Sequence, residues 1–122
     1  MTSVEQTIRA LANCHIEKYE EEIINSNRVN LRIRLRFLNG FLIEINEAIV
    51  IEKKDIQFLS YRYQFQNMNN QLIFRYDNTP HFPDIETFPH HKHLRDKVIP
   101  IKKPSITSFI DEIKLYLLSQ NQ

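Results

Sequence analysis

The sequence predicts an α+β domain, with an antiparallel sheet of four to five strands that carries an N-terminal and a C-terminal helix on one face. Three observations predict it. Apolar residues recur at spacings of three and four near both ends of the chain, the period of a helix packed on one side. Between those ends, apolar and polar residues alternate with period two, as in half-buried strands. Short polar turns join the alternating runs, and neither an internal repeat nor a linker interrupts them. The 122 residues therefore read as one domain, residues 1–122, long enough to bury its own core.

Ser3 and Gln6 form a capping-box pattern, with Val4, Ile8, Leu11, His15 and Tyr19 as the apolar stripe behind it. This predicts a first helix ending near Asn25-Ser26-Asn27, with His15 at the core edge and Cys14 as a small core residue. The period then changes to two. Val29, Leu31, Ile33, Leu35 and Phe37 alternate with Asn30, Arg32, Arg34 and Arg36, a half-buried strand with a basic outer face. In the next strand, Phe41, Ile43 and Ile45 alternate with Leu42, Glu44 and Asn46. A three-residue loop, Leu38 to Gly40, pairs Phe37 with Phe41, Leu35 with Ile43 and Arg34 with Glu44. A two-residue Asn39-Gly40 loop would set Glu44 against Leu35 instead, so the longer loop keeps both faces consistent. Gly40, the only glycine, then takes the left-handed bulge position.

A third strand is expected at about Ile56 to Gln66 and a fourth at about Gln71 to Tyr76, joined by the polar turn Asn67-Met68-Asn69-Asn70. Pairing Gln66 with Gln71 sets Phe65 against Leu72, Tyr63 against Phe74 and Tyr61 against Tyr76, all apolar or aromatic. It also sets Arg62 against Arg75 on the other face. Like charges so placed repel, which points either to an anion bound between them or to neutralisation by Asp77 or a glutamate. Residues 77–94 have neither periodicity, and a loop that long is more often functional or mobile than not. Val98, Ile99 and Ile101 indicate a short strand that Pro100 confines to an edge. Pro104 suits the first turn of a last helix, whose stripe is Ile106, Phe109, Ile110, Ile113 and Leu117.

Composition removes several function classes. The net charge of +1 gives no bulk argument for nucleic acid, although Arg28, Arg32, Arg34 and Arg36 form a local basic run without an acid. A single cysteine excludes an internal disulfide and a cysteine-rich zinc framework. No apolar run is long enough to span a bilayer, and the N-terminus has no secretory pattern. A cytoplasmic location without membrane contact is the expectation.

Four of the five histidines fall within thirteen positions, His81, His90, His91 and His93. Imidazole exchanges protons near neutral pH and is the commonest metal ligand. Here it is mixed with Arg75, Tyr76, Asp77 and Lys92, in a stretch that Pro80, Pro83 and Pro89 keep irregular. This is the candidate reactive or anion-binding centre. Taken singly, Asp77-Asn78 beside Pro80 is ordinary turn chemistry, Lys92 is expected to be solvated, and Phe82 and Phe88 are expected to anchor the loop in the core.

The run from Leu72 to His81, then Phe88-Pro89-His90-His91-Lys92-His93, then Pro104-Ser105-Ile106, resembles the TumE-like toxin family over roughly Tyr61 to Ile113. The resemblance implies the toxin of a type II toxin–antitoxin pair, with a protein antitoxin of helix-turn-helix type as partner. It implies no settled reaction and no catalytic assignment. A second histidine often follows the first in the family pattern, and Phe82 stands at that place here.

Small growth-inhibiting toxins commonly attack RNA, and these residue types suit metal-independent cleavage through the 2′-hydroxyl, with no cofactor. Such cleavage needs a base, an acid and cations around the phosphorane. His81, His91 and His93 supply acid and base, Arg62, Arg75 and Lys92 hold phosphate, Tyr76 stacks on a base or gives a proton, and Asp77 orients an imidazole. Two alternatives stay open. One is a metal-dependent hydrolase with zinc or manganese on His91, His93, His81 and Asp84. The other is a non-enzymatic module that binds the antitoxin or a nucleic acid through Arg32, Arg34, Arg36 and the tyrosines. A homodimer is compatible with each reading.

Overall fold

Alternating polarity extends further along the chain than the apolar residues alone indicate. In the computed structural model, which describes residues 3–120, α1 (Ser3–Arg9) is followed by β1 (Cys14–Asn25), β2 (Arg28–Phe37), β3 (Leu42–Glu52) and β4 (Asp55–Gln66). Then come β5 (Leu72–Asp77), β6 (His91–Leu94), β7 (Val98–Pro100) and α2 (Ile106–Gln120). The seven strands lie in chain order in one antiparallel sheet. The class is α+β as expected, but the expected four to five strands understate the sheet.

The two added strands have physical explanations. The long N-terminal helix is not formed, because α1 stops at Arg9 and Asn13 takes a left-handed φ of 57°. Residues 14–25 become β1, an edge strand that buries no side chain fully. Its ladder to β2 and the ion pairs of Glu17 with Arg34 (3.0 Å) and Arg36 (3.4 Å) hold it, so apolar period carries no signal there. The two guanidinium groups keep the Glu17 carboxyl below the usual range. His15 is exposed rather than at the core edge, whereas Cys14 does pack against the core, and burial pushes its thiol up to about 11. The other added strand, β6, lies inside the segment expected to be a loop.

The β2–β3 hairpin has the expected register, with Leu35 opposite Ile43 and Arg34 opposite Glu44. Phe37 N donates to Phe41 O at 2.9 Å, and Gly40 has φ +92°. The β4–β5 register differs by two residues from the expected one. Tyr63 faces Tyr76, Phe65 faces Phe74, and Arg62 faces Asp77 rather than Arg75. A slip of two preserves which face every side chain takes, so apolar pairing does not choose between the registers. The observed one replaces an Arg–Arg opposition with Arg–Asp.

The core lies on the inner face of the sheet. Ile33, Leu35, Ile43, Ile45, Tyr63, Phe65 and Phe74 meet Ile8 and Leu11 of the N-terminal segment and Ile106, Phe109, Ile110 and Ile113 of α2. Ser105 caps α2 by accepting from Ser108 N at 3.0 Å, so Pro104 precedes the cap instead of opening the helix. The expected Ser3 cap rests on a side chain outside those described. No residue from 46 to 60 is fully buried, and the hairpin end there exposes Ile51, Ile56, Phe58 and Leu59. No described helix is long and apolar enough to cross a membrane.

A Cβ at Gly40 would stand 2.9 Å from the Met68 Cβ in a left-handed backbone. Gly40→Ala is therefore expected to destabilise the fold by about 1–3 kcal/mol, measured as a lower midpoint of chemical denaturation with unchanged slope.

Candidate functional site

Pairing register lines up the chemistry. On the outward face, Arg32, Asn46, Arg62, Asp77 and His91 stand opposite one another on successive strands β2 to β6. A neighbouring row carries Arg34, Glu44, Gln64, Arg75 and His93. Strands lie about 4.8 Å apart, so Arg62, Arg75, Asp77, His91 and His93 form one patch. The 78–90 segment folds back over it and sets the Phe82 ring edge-on to His91 (5.0 Å between centroids) and His93 (5.8 Å). What remains is a cleft of about 240 Å³ lined by Arg62, Arg75, Asp77, Thr79, His81, Phe82 and His93.

Asp77 is the buried centre of this patch, 3% exposed. Its Oδ1 accepts from Thr79 N at 3.0 Å and lies 2.8 Å from His91 Nε2. Its Oδ2 accepts from Arg75 Nε at 3.0 Å and lies 3.5 Å from His93 Nε2. His91 is enclosed, with Nδ1 at 2.9 Å from Pro89 O. A carbonyl oxygen only accepts, so Nδ1 carries a hydrogen and Nε2 is the nitrogen turned to the carboxylate. His91 Nε2 and His93 Nε2 are 3.0 Å apart. Burial, then the Arg75 charge, lowers the His93 pKa below its ordinary value, with Asp77 opposing. His93 is therefore neutral at pH 7, with a lone pair to offer.

The expected residues divide between the two faces. Arg62, Arg75, Asp77, His81 and His93 line the cleft, and the buried His91 stands behind it. Arg62 and Arg75 meet there, but with Asp77 between them instead of directly opposed. Tyr76 and Lys92 point inward. The Tyr76 hydroxyl donates to Glu112 Oε1 at 2.6 Å, and Lys92 Nζ pairs with Glu112 Oε2 and lies 4.7 Å from the Phe74 ring centre. Lys92 is thus not solvated, and both residues tie the sheet to α2. Burial and the Glu112 contact raise the Tyr76 hydroxyl pKa. Asp84 is exposed and outside the cluster, Phe88 is exposed rather than anchored in the core, and Phe82 anchors on the histidines. His90 belongs to the inner side, where its Nδ1 lies 2.9 Å from the Tyr61 hydroxyl.

Two features escaped the sequence. Thr79 joins the cleft because its amide closes a turn onto Asp77, a bond that Asp-Asn-Thr-Pro signals in principle. Lys103 sits among the Phe58, Tyr61 and Tyr63 rings, 3.9 Å from Glu47, and burial lowers its pKa. No local pattern announces that contact.

A family model described as Toxin TumE matches residues 5–117. The chain belongs to the TumE toxin family, which makes it the toxin of a toxin–antitoxin system and implies an antitoxin partner. No curated protein and no solved structure matches it significantly.

The two carboxylate clusters differ in burial, the side chain of Asp77 being 4% exposed and that of Glu112 34%. Asp77→Asn is expected to lower unfolding free energy by about 3 kcal/mol, since it leaves the half-buried Arg75 charge uncompensated. Glu112→Gln is expected to cost about 1 kcal/mol or less. Urea denaturation of the two variants checks the order.

Proposed function

We propose that this member of the TumE toxin family arrests growth by cleaving RNA in the cleft between β5, β6 and the 78–90 segment, with acid–base chemistry that needs no metal. One observation carries the reading. His93, whose pKa burial lowers, and an exposed His81 share a 240 Å³ cleft with two guanidinium groups. His93 takes the proton of the ribose 2′-hydroxyl, and that oxygen attacks the phosphorus. The P–O5′ bond breaks as His81 protonates the leaving oxygen, giving a 2′,3′-cyclic phosphate and a 5′-hydroxyl. Arg62 and Arg75 face the added negative charge of the phosphorane, the task that preorganised cations serve best. Asp77 and His91 position His93 and Arg75 without touching substrate. The inward Tyr76 and Lys92 take no part. The antitoxin is of helix-turn-helix type, as the resemblance implies, and the RNA target places the activity in the cytoplasm. The chemistry needs one copy of the chain, whether or not it dimerises.

A second reading has its own observation. One ligand atom each from Asp77, His91 and His93 lies within 4.8 Å of the others. The His91 Nδ1–H bond to a carbonyl is the kind of support that orients metal-ligating imidazoles. Activity that a chelator abolishes and zinc or manganese restores, with about one ion per chain, would establish this reading and remove the first. RNA left intact under all conditions despite salt-dependent binding would identify a binding module instead.

His93→Ala and His81→Ala are each expected to lower RNA cleavage by about 10²- to 10⁴-fold and to relieve growth inhibition, with the melting temperature little changed. Growth inhibition that survives both changes contradicts the assignment. The depressed pKa of His93 fixes the acid limb. As pH falls, the rate through this base is expected to hold through the ordinary imidazole range near 6.5 and to decline only below it. A pH–rate profile on a short RNA measures this.

A further inference from the structure

Beside the cleft, and sharing Arg62 and Thr79 with it, runs a groove of about 510 Å³. Arg28, Arg32 and Arg62 line it, together with Asn30, Asn46 and Ser60. We infer that this groove holds the phosphodiester backbone of the single RNA strand whose scissile nucleotide occupies the cleft. The inference rests on the RNA reading of the cleft and extends it to residues of β2 and β3.

Charge pairing distinguishes these arginines. Arg34 and Arg36 are held by Glu17 and Glu44, and Arg75 by Asp77. Arg28, Arg32 and Arg62 have no ion-pair partner among the described residues, so three uncompensated guanidinium groups converge on one surface. The carboxylate that also lines the groove, Glu47, is already engaged by the Tyr63 hydroxyl and by Lys103 Nζ at 3.9 Å. Two buried side-chain polar atoms of the described residues lack a hydrogen-bond partner, Arg28 Nε and Asn30 Oδ1, and both residues line this groove. Buried polar groups are usually paired, and these two atoms find no partner within the described residues. The row Arg32, Asn46, Arg62, Asp77, His91 makes the groove continuous with the cleft, at right angles to the strands.

Guanidinium, amide and hydroxyl groups on a sheet face suit phosphate oxygens and ribose hydroxyls. Contacts of this kind position a strand without reading its sequence. The groove therefore sets affinity and register, and leaves base preference to the cleft.

The test uses the full chain and a 2′-O-methyl oligonucleotide, which binds but lacks the nucleophile. Its affinity is followed by fluorescence anisotropy over a salt series. Each single-strand phosphate contact contributes about 0.7 to the slope of log affinity against log salt. The double change Arg28→Gln, Arg32→Gln is expected to reduce that slope by about 1.4, and Arg32→Gln alone, at an exposed position, by about 0.7. Cleavage of a dinucleotide, too short to enter the groove, is expected to stay as in the unmodified chain, and Arg34→Gln to leave the slope unchanged. Slopes unaffected by either groove change overturn the inference, as does an oligonucleotide that fails to bind while the antitoxin binds through Arg28 and Arg32. A reduced slope in the variants with no dinucleotide turnover in any protein supports the groove and removes the cleavage reading.

Discussion

Asp77 is a carboxylate out of water, and moving one there costs several kcal/mol unless cations and donors surround it. Here Arg75, His91, His93 and the Thr79 amide do so. The partners come from β5, from the turn that follows it and from β6. Satisfying this one group therefore fixes the pairing of β5 with β6, the turn that leaves β5, and the side chains that form the floor of the cleft. In the β4–β5 register this acid, and not Arg75, takes the outward position opposite Arg62.

Strand alternation then separates two kinds of chemistry. Outward positions of β4, β5 and β6 carry Arg62, Arg75, Asp77, His91 and His93, while inward positions carry Tyr63, Tyr76 and Lys92. The inward polar groups are bound by Glu47 of the neighbouring strand β3 and by Glu112, which ties the sheet to α2. The outward ones meet at a surface cleft that opens to solvent beside a groove of unpaired arginines. The protein thus places His81, His91, His93 and its uncompensated arginines on the side of the sheet that α2 leaves uncovered, which is where a polyanion has access.

Much of this was legible in the sequence where packing imposes a pattern. Leu35, Ile43 and Gly40 gave the first hairpin its register because only one loop length kept both faces consistent. Ile106, Phe109, Ile110 and Ile113 announced α2 because all four are buried in the core. The clustering of His81, His91 and His93 with Arg75 and Asp77 in the sequence reappears as a cluster in space. What failed had no apolar signature. β1 buries nothing fully, and His15 and Tyr19 continue the three-and-four spacing of Val4, Ile8 and Leu11, so the segment reads as helix. The β4–β5 slip of two residues leaves every apolar contact type unchanged. His91-Lys92-His93-Leu94 reads as loop because its inward residues are a lysine and a leucine, and the burial of Lys92 depends on Glu112, distant in sequence. Once β6 is recognised as a strand, alternation alone sends Lys92 away from the histidines and Tyr76 away from Asp77.

The central claim is that the cleft uses the substrate's own 2′-hydroxyl as nucleophile. Mapping the ends of RNA cut by the purified protein in excess chelator tests this most directly. The account predicts 2′,3′-cyclic phosphate and 5′-hydroxyl ends, and no cut where the nucleotide 5′ to the bond is 2′-deoxy. Ends bearing a 5′-phosphate, or equal cutting of the deoxy-substituted strand, would contradict it.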